Sequence, residues 1–213
     1  MTPTRSSTIE AIEPDRRQKG VVRIVIDGRT ALSLPDDLVR RERLAVGTEI
    51  TPERLTRLIG AVDREAAYRT ALRALERRPF ARRDLQRRLV LKGHLPDLAE
   101  AAVERAEAAG FLDDAKYAQQ YVASRSARGR GPARLRRELA QVGVARELIE
   151  AALAELAASE PTGEREQIET IIARKRPALE GLPPYQARRR LLAVLARRGY
   201  TGTLARELVR RSC

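Results

Sequence analysis

Three stretches decide how this chain is read: LQRRLVLKG (85–93), LRRELAQVG (135–143) and LLAVLARRG (191–199). Each places leucines at i and i+4 and a glycine four residues later, as Leu85-x3-Leu89-x3-Gly93, Leu135-x3-Leu139-x3-Gly143 and Leu191-x3-Leu195-x3-Gly199. Leucines four apart share one helical face, and a glycine just beyond suits a left-handed C-cap. The glycines stand 50 and 56 residues apart. After each one the apolar register resumes, with Leu98, Leu148 and Leu204 all five residues on. Agreement on both sides of the glycine makes a tandem repeat the economical reading: three short amphipathic helices, each followed by another helix, stacked in series.

Working outward, Thr51-Pro52-Glu53 opens a helix with a capping hydroxyl, proline at the first helical position and an acid near the positive dipole end. That helix is expected to run to about Arg77, where Pro79 stops it, with helices over 81–92 and 96–109 completing a unit. Asp113 or Asp114 caps the next helix, and Pro132 starts helix 132–142, with 144–157 closing the second unit. The third holds helices 163–176, 184–198 and 201–211 around a Pro/Gly-rich turn. Ahead of the repeats, Val22, Ile24 and Ile26 alternate, Asp27-Gly28 supplies a hairpin turn, and Thr30, Leu32 and Leu34 resume the alternation. A short helix over 36–45 follows, closed by Gly47. The expected organisation is a disordered arm (1–19), a β-hairpin plus short helix (20–50), and three-helix repeats at 51–112, 113–160 and 161–213. The fold class is mostly α.

Of 213 residues, 42 are Lys or Arg and 29 are Asp or Glu, a formal net charge of +13. A polyanionic partner follows: nucleic acid, or a protein surface lined with acids. The charge is patterned along the chain. Arg77 to Lys92 holds seven basic residues against Asp84, whereas Asp97 to Asp113 holds five acids against Arg105. Residues 125–137 hold six arginines and no acid, and 138–160 five acids against Arg146. The middle helix of each unit, with the turn before it, is thus basic and the closing helix acidic. The third unit departs from this: 188–198 holds five arginines, and 201–211 is also net basic. The candidate contact residues are Arg77, Arg78, Arg82, Arg83, Arg87 and Arg88 in the first unit. Arg128, Arg130, Arg134 and Arg137 belong to the second, and Arg188, Arg189, Arg190, Arg197 and Arg198 to the third. If the repeats stack in one sense, these form a basic ridge. Alternatively they pair with the acidic closing helices and leave an ordinary solvated face, which leaves the last five, with no nearby acids in sequence, as the best contacts.

Other features point away from chemistry. No GK[ST] phosphate loop is present, the lone His94 follows Gly93 in a turn, and the single Cys213 ends the chain. Tyr68, Tyr117 and Tyr121 fall at core spacing, while Tyr185 and Tyr200 beside the third unit are the better candidates for base stacking. Gly129-Arg130-Gly131 reads as a flexible basic tip or a plain linker. No apolar run reaches the roughly 18 residues of a membrane span. We therefore expect a cytoplasmic, monomeric non-enzyme that needs no cofactor or metal and binds no membrane.

Three segments carry a family resemblance: ALRALERRPFARRDLQRRLVLKGH (71–94), GFLDDAKYAQQYVASR (110–125) and RGRGPARLRRELAQVGV (128–144). They resemble the S-x-x-E-L-x-x-x-L-x-x-K-G, G-x-L-D-D-x-x-[FY]-A and G-x-x-[RK]-[IL]-x-x-E-L-x-x-x-G segments of the RecX regulators. Ala81 and Asp84 stand where that family usually has Ser and Glu. The resemblance spans about Ala67 to Arg211, with the third unit matched mainly by its leucine–glycine spacing. It implies three tandem three-helix repeats in an elongated, curved array that lies in the groove of the RecA recombinase filament on single-stranded DNA. There the family modulates, usually inhibits, strand exchange, ATP turnover and coprotease activity by contact alone. The competing reading is a sequence-independent or helix-turn-helix DNA-binding protein, acting on single- or double-stranded DNA without the recombinase. A specific reader, however, needs only one recognition helix per protomer.

Overall fold

The computed structural model describes residues 6–16 and 19–212. Four antiparallel strands come first: β1 (Ser7–Pro14), β2 (Val21–Ile26), β3 (Arg29–Pro35) and β4 (Glu49–Ile50), in the order β3-β2-β1-β4. A short helix α1 (Asp36–Arg41) lies between β3 and β4. Among the described residues nine helices follow, in three sets of three: α2 (Pro52–Leu75), α3 (Arg82–Leu91) and α4 (Pro96–Ala108); α5 (Asp114–Ser126), α6 (Pro132–Val142) and α7 (Arg146–Ser159); α8 (Gly163–Lys175), α9 (Pro184–Arg198) and α10 (Thr203–Ser212). A 3-10 turn, Arg176–Leu179, follows α8. The chain is mostly helical, with tandem three-helix repeats behind a small sheet.

Two compact units can be distinguished, Met1–Leu72 with Leu89–Arg105, and Arg73–Arg88 with Ala106–Cys213. The first contains the sheet. Ile24, Ile26 and Leu34 of the hairpin close over Leu38, Ile50, Leu55 and Leu58, so α1 and the start of α2 cover one face. The expected hairpin forms as read, pairing Val25 with Thr30 and Ile26 with Arg29 around Asp27-Gly28. It is not left as two strands, which would be marginal in water.

The expectation of a disordered arm over 1–19 is corrected for Ser7–Pro14. That segment is a strand pairing with β2 (Ile12 opposite Ile24) and with β4 (Ser7 opposite Ile50). Its composition is polar because it presents few side chains to the core, chiefly the buried Ile9. The pairing energy comes from partners distant in sequence, which no local pattern announces. Residues 1–5 and 17–18 lie outside the described residues. Helix α1 is also shorter than the expected 36–45, ending at Arg41 with the Leu44 N–H returning to the Val39 carbonyl (3.0 Å).

In the second unit, Leu135 and Leu139 pack with Val122, Val144, Ile149 and Leu153, and also with Ala81. Leu191 and Leu195 pack with Ile168, Ile172, Leu208, Val209 and Tyr200. All six repeat leucines are buried. Gly93, Gly143 and Gly199 cap their helices at φ +93°, +93° and +95°. In each case the next N–H returns to the second leucine, His94 to Leu89, Val144 to Leu139 and Tyr200 to Leu195 (2.9–3.2 Å).

Candidate partner-binding surface

The arginines of the three middle helices are not equivalent once the fold brings their neighbours together. On α3, Arg82 donates to the Glu107 carboxylate (3.1 Å) and Arg87 to the Gln141 carbonyl (3.0 Å). Just before α3, Arg78 lies 3.6 Å above the Phe80 ring and reaches Asp84 (3.4 Å), with Arg88 at 5.7 Å from the same ring. Arg77 and Arg83 are exposed, and neither forms an ion pair among the described residues. Asp113 caps α5 through the Lys116 N–H (3.0 Å), while Asp114 accepts from the Arg82 N–H (2.7 Å) and so caps α3 instead. The absence of Ser at position 81 is thereby offset from another repeat.

In the second repeat Glu138 gathers three donors: Arg130 (2.7 Å), Arg134 (2.8 Å) and the Tyr121 hydroxyl (2.9 Å). Burial pushes the Glu138 carboxyl up, but the three hydrogen bonds together outweigh it and hold the group below the usual carboxylate range. Arg136 forks onto Glu150 at 2.7 and 2.9 Å, which lowers the Glu150 carboxyl and raises the guanidinium. Arg128 and Arg137 stay exposed. The pairing expected between basic middle and acidic closing helices therefore exists at Arg82–Glu107 and Arg136–Glu150, and it neutralises part of the ridge.

The third repeat differs. Its ion pairs include Arg165–Glu169 on α8 and Arg211–Glu207 on α10. On α9, Arg188, Arg189, Arg190 and Arg197 are exposed, and among the described residues Arg189, Arg190 and Arg197 have no carboxylate partner. Arg198 is half-buried, and its carbonyl accepts the Gly131 N–H (2.7 Å). A solvated guanidinium with no ion pair to break is the state best suited to binding an incoming anion.

Several expectations change. Tyr200, read as a stacking candidate, is core: burial, followed by the nearby Glu164 charge, pushes its hydroxyl up to about 12. Tyr185 is exposed. Tyr117 and Tyr121 stack on one another with centroids 5.9 Å apart, and Tyr68 lies under the Arg105 guanidinium (3.7 Å), which in turn reaches the buried Glu65 (2.8 Å). His94 is not a fully solvated loop residue, since its Nε2 lies 3.1 Å from the Thr70 hydroxyl.

The Gly129-Arg130-Gly131 segment links α5 to α6, as the plainer reading had it, but it is packed rather than a free tip. Gly131 is wedged against Gly199: a Cβ built on it would lie 2.5 Å from the Gly199 carbonyl carbon. The junction is completed by the Ala133 N–H, which donates to the Gly199 carbonyl (3.1 Å). Sequence reasoning missed both this junction and the Glu138 hub. Gly131 has an ordinary extended φ of −77°, so its glycine is required by close approach alone, for which a sequence holds no signal.

Among the described residues no cluster of His, Cys, Asp and Glu is arranged to hold a metal, and no helix is long and apolar enough to cross a membrane.

This arrangement has known counterparts. A family profile described as "RecX, second three-helix domain" matches residues 113–153. Two solved structures share the fold: "Crystal structure of regulatory protein RecX" (TM-score 0.81, 21% identity, 96% of this chain and 99% of that one) and "Crystal structure of RecX from Lactobacillus salivarius" (0.63, 16%, 71% and 96%). The Regulatory protein RecX of Mycolicibacterium smegmatis is 35% identical over 150 residues, 68% of this chain and 78% of the relative. That of Mycobacterium avium is 38% identical over 148 residues (68% and 83%), and that of Xanthomonas axonopodis pv. citri 36% over 140 (66% and 83%). At 35% identity over 68% of its length and 78% of the Mycolicibacterium smegmatis relative, with the family profile matched over 113–153, the chain belongs to the RecX family of regulatory proteins.

Proposed function

We propose that this protein binds the RecA recombinase filament assembled on single-stranded DNA and modulates it, chiefly by inhibition, lowering strand exchange, ATP turnover and coprotease activity. It acts by contact and contributes no catalytic group. Its setting is the cytoplasm, in homologous recombination, DNA repair and the SOS response. The observation that carries this reading is the state of α9, where Arg189, Arg190 and Arg197 are solvated and unpaired while α3 and α6 have spent several arginines on internal partners. The exposed Arg77, Arg83, Arg128 and Arg137 extend the same chemistry into the first two repeats. The choice of partner rests on the resemblance to the RecX regulators, which implies the recombinase filament.

The test is recombinase-driven ATP hydrolysis on single-stranded DNA, with and without the purified protein. Hydrolysis should fall as protein is added, and an unchanged rate refutes the reading. Affinity for bare DNA should be weak and fall steeply with salt, by about 0.7 in log K per log unit of salt for each phosphate contact. Binding should tighten when recombinase coats the DNA. Equal affinity for bare and coated DNA would favour the independent DNA-binding reading.

A further inference from the structure

Within the unit formed by Arg73–Arg88 and Ala106–Cys213, the two capping glycines Gly143 and Gly199 are each covered by the first turn of another middle helix. Gly199, ending α9, is covered by the first turn of α6, whose Gly131 and Ala133 N–H groups donate to the Arg198 and Gly199 carbonyls (2.7 and 3.1 Å). Gly143, ending α6, is covered by the first turn of α3. A Cβ built on Gly143 would lie 2.6 Å from Arg83 Cβ, and Arg87 donates to the Gln141 carbonyl (3.0 Å). Each contact brings the first turn of one middle helix onto the C-terminal end of another, through backbone N–H groups at Gly199 and through the Arg83 and Arg87 side chains at Gly143. The arginines of the incoming turn do not prevent this, because their aliphatic stems do the packing.

Gly93 has the same backbone but no such cover. A Cβ built there meets nothing within 4 Å, and the side chains around it are apolar and exposed: Leu91 at 87%, Leu95 at 61% and Val90 at 40%. The matching half of the contact is also present in the chain. Helix α9 starts with Pro184 at its first position, as α6 starts with Pro132, so Tyr185 holds the place that Ala133 holds in α6. Tyr185 is 68% exposed. Of seven large apolar side chains exposed among the described residues, three flank Gly93 and one stands on the first turn of α9.

We propose that the Gly93 cap of one chain receives the Pro184–Tyr185 turn of a second copy, joining copies head to tail by the contact that already joins the repeats within a copy. The Tyr185 ring would cover Leu91 and Leu95, and its N–H would meet the Gly93 carbonyl. The surface used on one copy differs from that used on the other, so the association is heterologous and open-ended. A second copy fits better than an acidic partner because both halves of the contact occur in one chain and neighbouring basic turns already pack on Gly143 and Gly199. Both faces are basic, with Lys92 on one and Arg188 and Arg189 on the other. Association therefore strengthens as salt rises, opposite in sign to phosphate binding. The monomer expected from the sequence becomes the dilute form.

The experiment is sedimentation velocity on the full chain at moderate salt, across a concentration series and without recombinase or DNA. Two variants separate the faces: Leu91→Glu with Leu95→Glu blocks the cap, and Tyr185→Glu blocks the turn. All three positions are exposed, and circular dichroism checks that folding is kept. The unaltered chain should grow in mean mass with concentration, and each variant should stay monomeric. An equimolar mixture of the two variants should form dimers and nothing larger, because one good cap meets one good turn. An unaltered chain that stays monomeric, variants that associate as it does, or a mixture that stays monomeric would each overturn the proposal. So would a monomeric chain whose Leu91→Glu variant loses only recombinase binding, since the cap would then belong to another protein.

Discussion

Replacing Gly131 with alanine should destabilise the protein, although local rules predict the reverse. At φ −77° and ψ 164° an alanine is unstrained, and a Gly→Ala change at a compatible site ordinarily stabilises by about 0.4–1 kcal/mol through the unfolded chain. Here the new Cβ would lie 2.5 Å from the Gly199 carbonyl carbon, 2.6 Å from its oxygen and 2.7 Å from Tyr200 Cδ1. The first two atoms are backbone, fixed in a helix cap by the Gly199 N–H to Ala196 and Tyr200 N–H to Leu195 hydrogen bonds (both 2.9 Å). The α6 turn must therefore retreat by roughly 1 Å to reach ordinary carbon contact near 3.5 Å. That weakens the Gly131 and Ala133 donations to the α9 carbonyls, each with a net value of about 1 kcal/mol. Overpacking strain of about 1–3 kcal/mol adds to this loss. Less the entropic gain, the net loss is about 2–4 kcal/mol. Urea unfolding followed by circular dichroism reads it as a lowered midpoint. Gly93→Ala, at positive φ but with open space around it, provides the comparison and should lose only about 1 kcal/mol. A Gly131→Ala midpoint equal to or above that of the unaltered chain would refute the close-junction argument.

Three further outcomes follow from the same geometry. Glu138→Gln removes the charge that Arg130 and Arg134 share, and because those side chains are 28% and 35% exposed the loss is discounted to about 1–2 kcal/mol. The folded-state carboxyl is lowered, so its contribution is present above the ordinary carboxylate value and disappears as pH falls through the lowered one. The Glu138→Gln variant should accordingly lose less stability than the unaltered chain on acid titration below about pH 4.5. Tyr200 has its hydroxyl raised to about 12, so its contribution is complete below pH 10 and is lost as pH rises toward 12, by about 2–3 kcal/mol. Tyr200→Phe should remove that alkaline loss in melts between those values, and an unchanged alkaline limb would count against it. Arg189, Arg190 and Arg197 changed together to alanine should weaken binding to DNA or filament, reducing the salt slope by about 2 if all three meet phosphates, without altering the melting curve. A lowered melting temperature would mean that these side chains are structural.

The ridge drawn from charge counting also takes on a physical gradient. Where an acid from a neighbouring element comes within reach, as Glu107 does for Arg82 or Glu138 for Arg130 and Arg134, the arginine stabilises the fold and offers less to a partner. Where none does, as at Arg189, Arg190 and Arg197 of α9, the guanidinium stays hydrated and available. Exposed ion pairs of this kind contribute roughly 0–1 kcal/mol each, so an incoming polyanion could outcompete the weaker ones.

By itself the sequence determined the helices. Leucines four apart, capping glycines, and prolines at helix starts are local signals acting within one or two turns, and α3, α6, α9 and the helices around them form where those signals stand. The β2–β3 hairpin was legible for the same reason, because Asp27-Gly28 marks its turn, although the register shifts at a bulge between Ile24 and Val25. Only the tertiary structure decided what depends on residues far apart in the chain. Strand β1 exists because β2 and β4 supply its hydrogen bonds, not because its own residues favour extension. Whether an arginine is solvated or spent on a carboxylate depends on which helix lies across from it, which sorted Arg189 from Arg134. The repeat glycine shows both sides of the division. Its left-handed cap is written locally in Gly93, Gly143 and Gly199 alike, whereas the helix turn that covers it is set by packing, and only Gly143 and Gly199 have one.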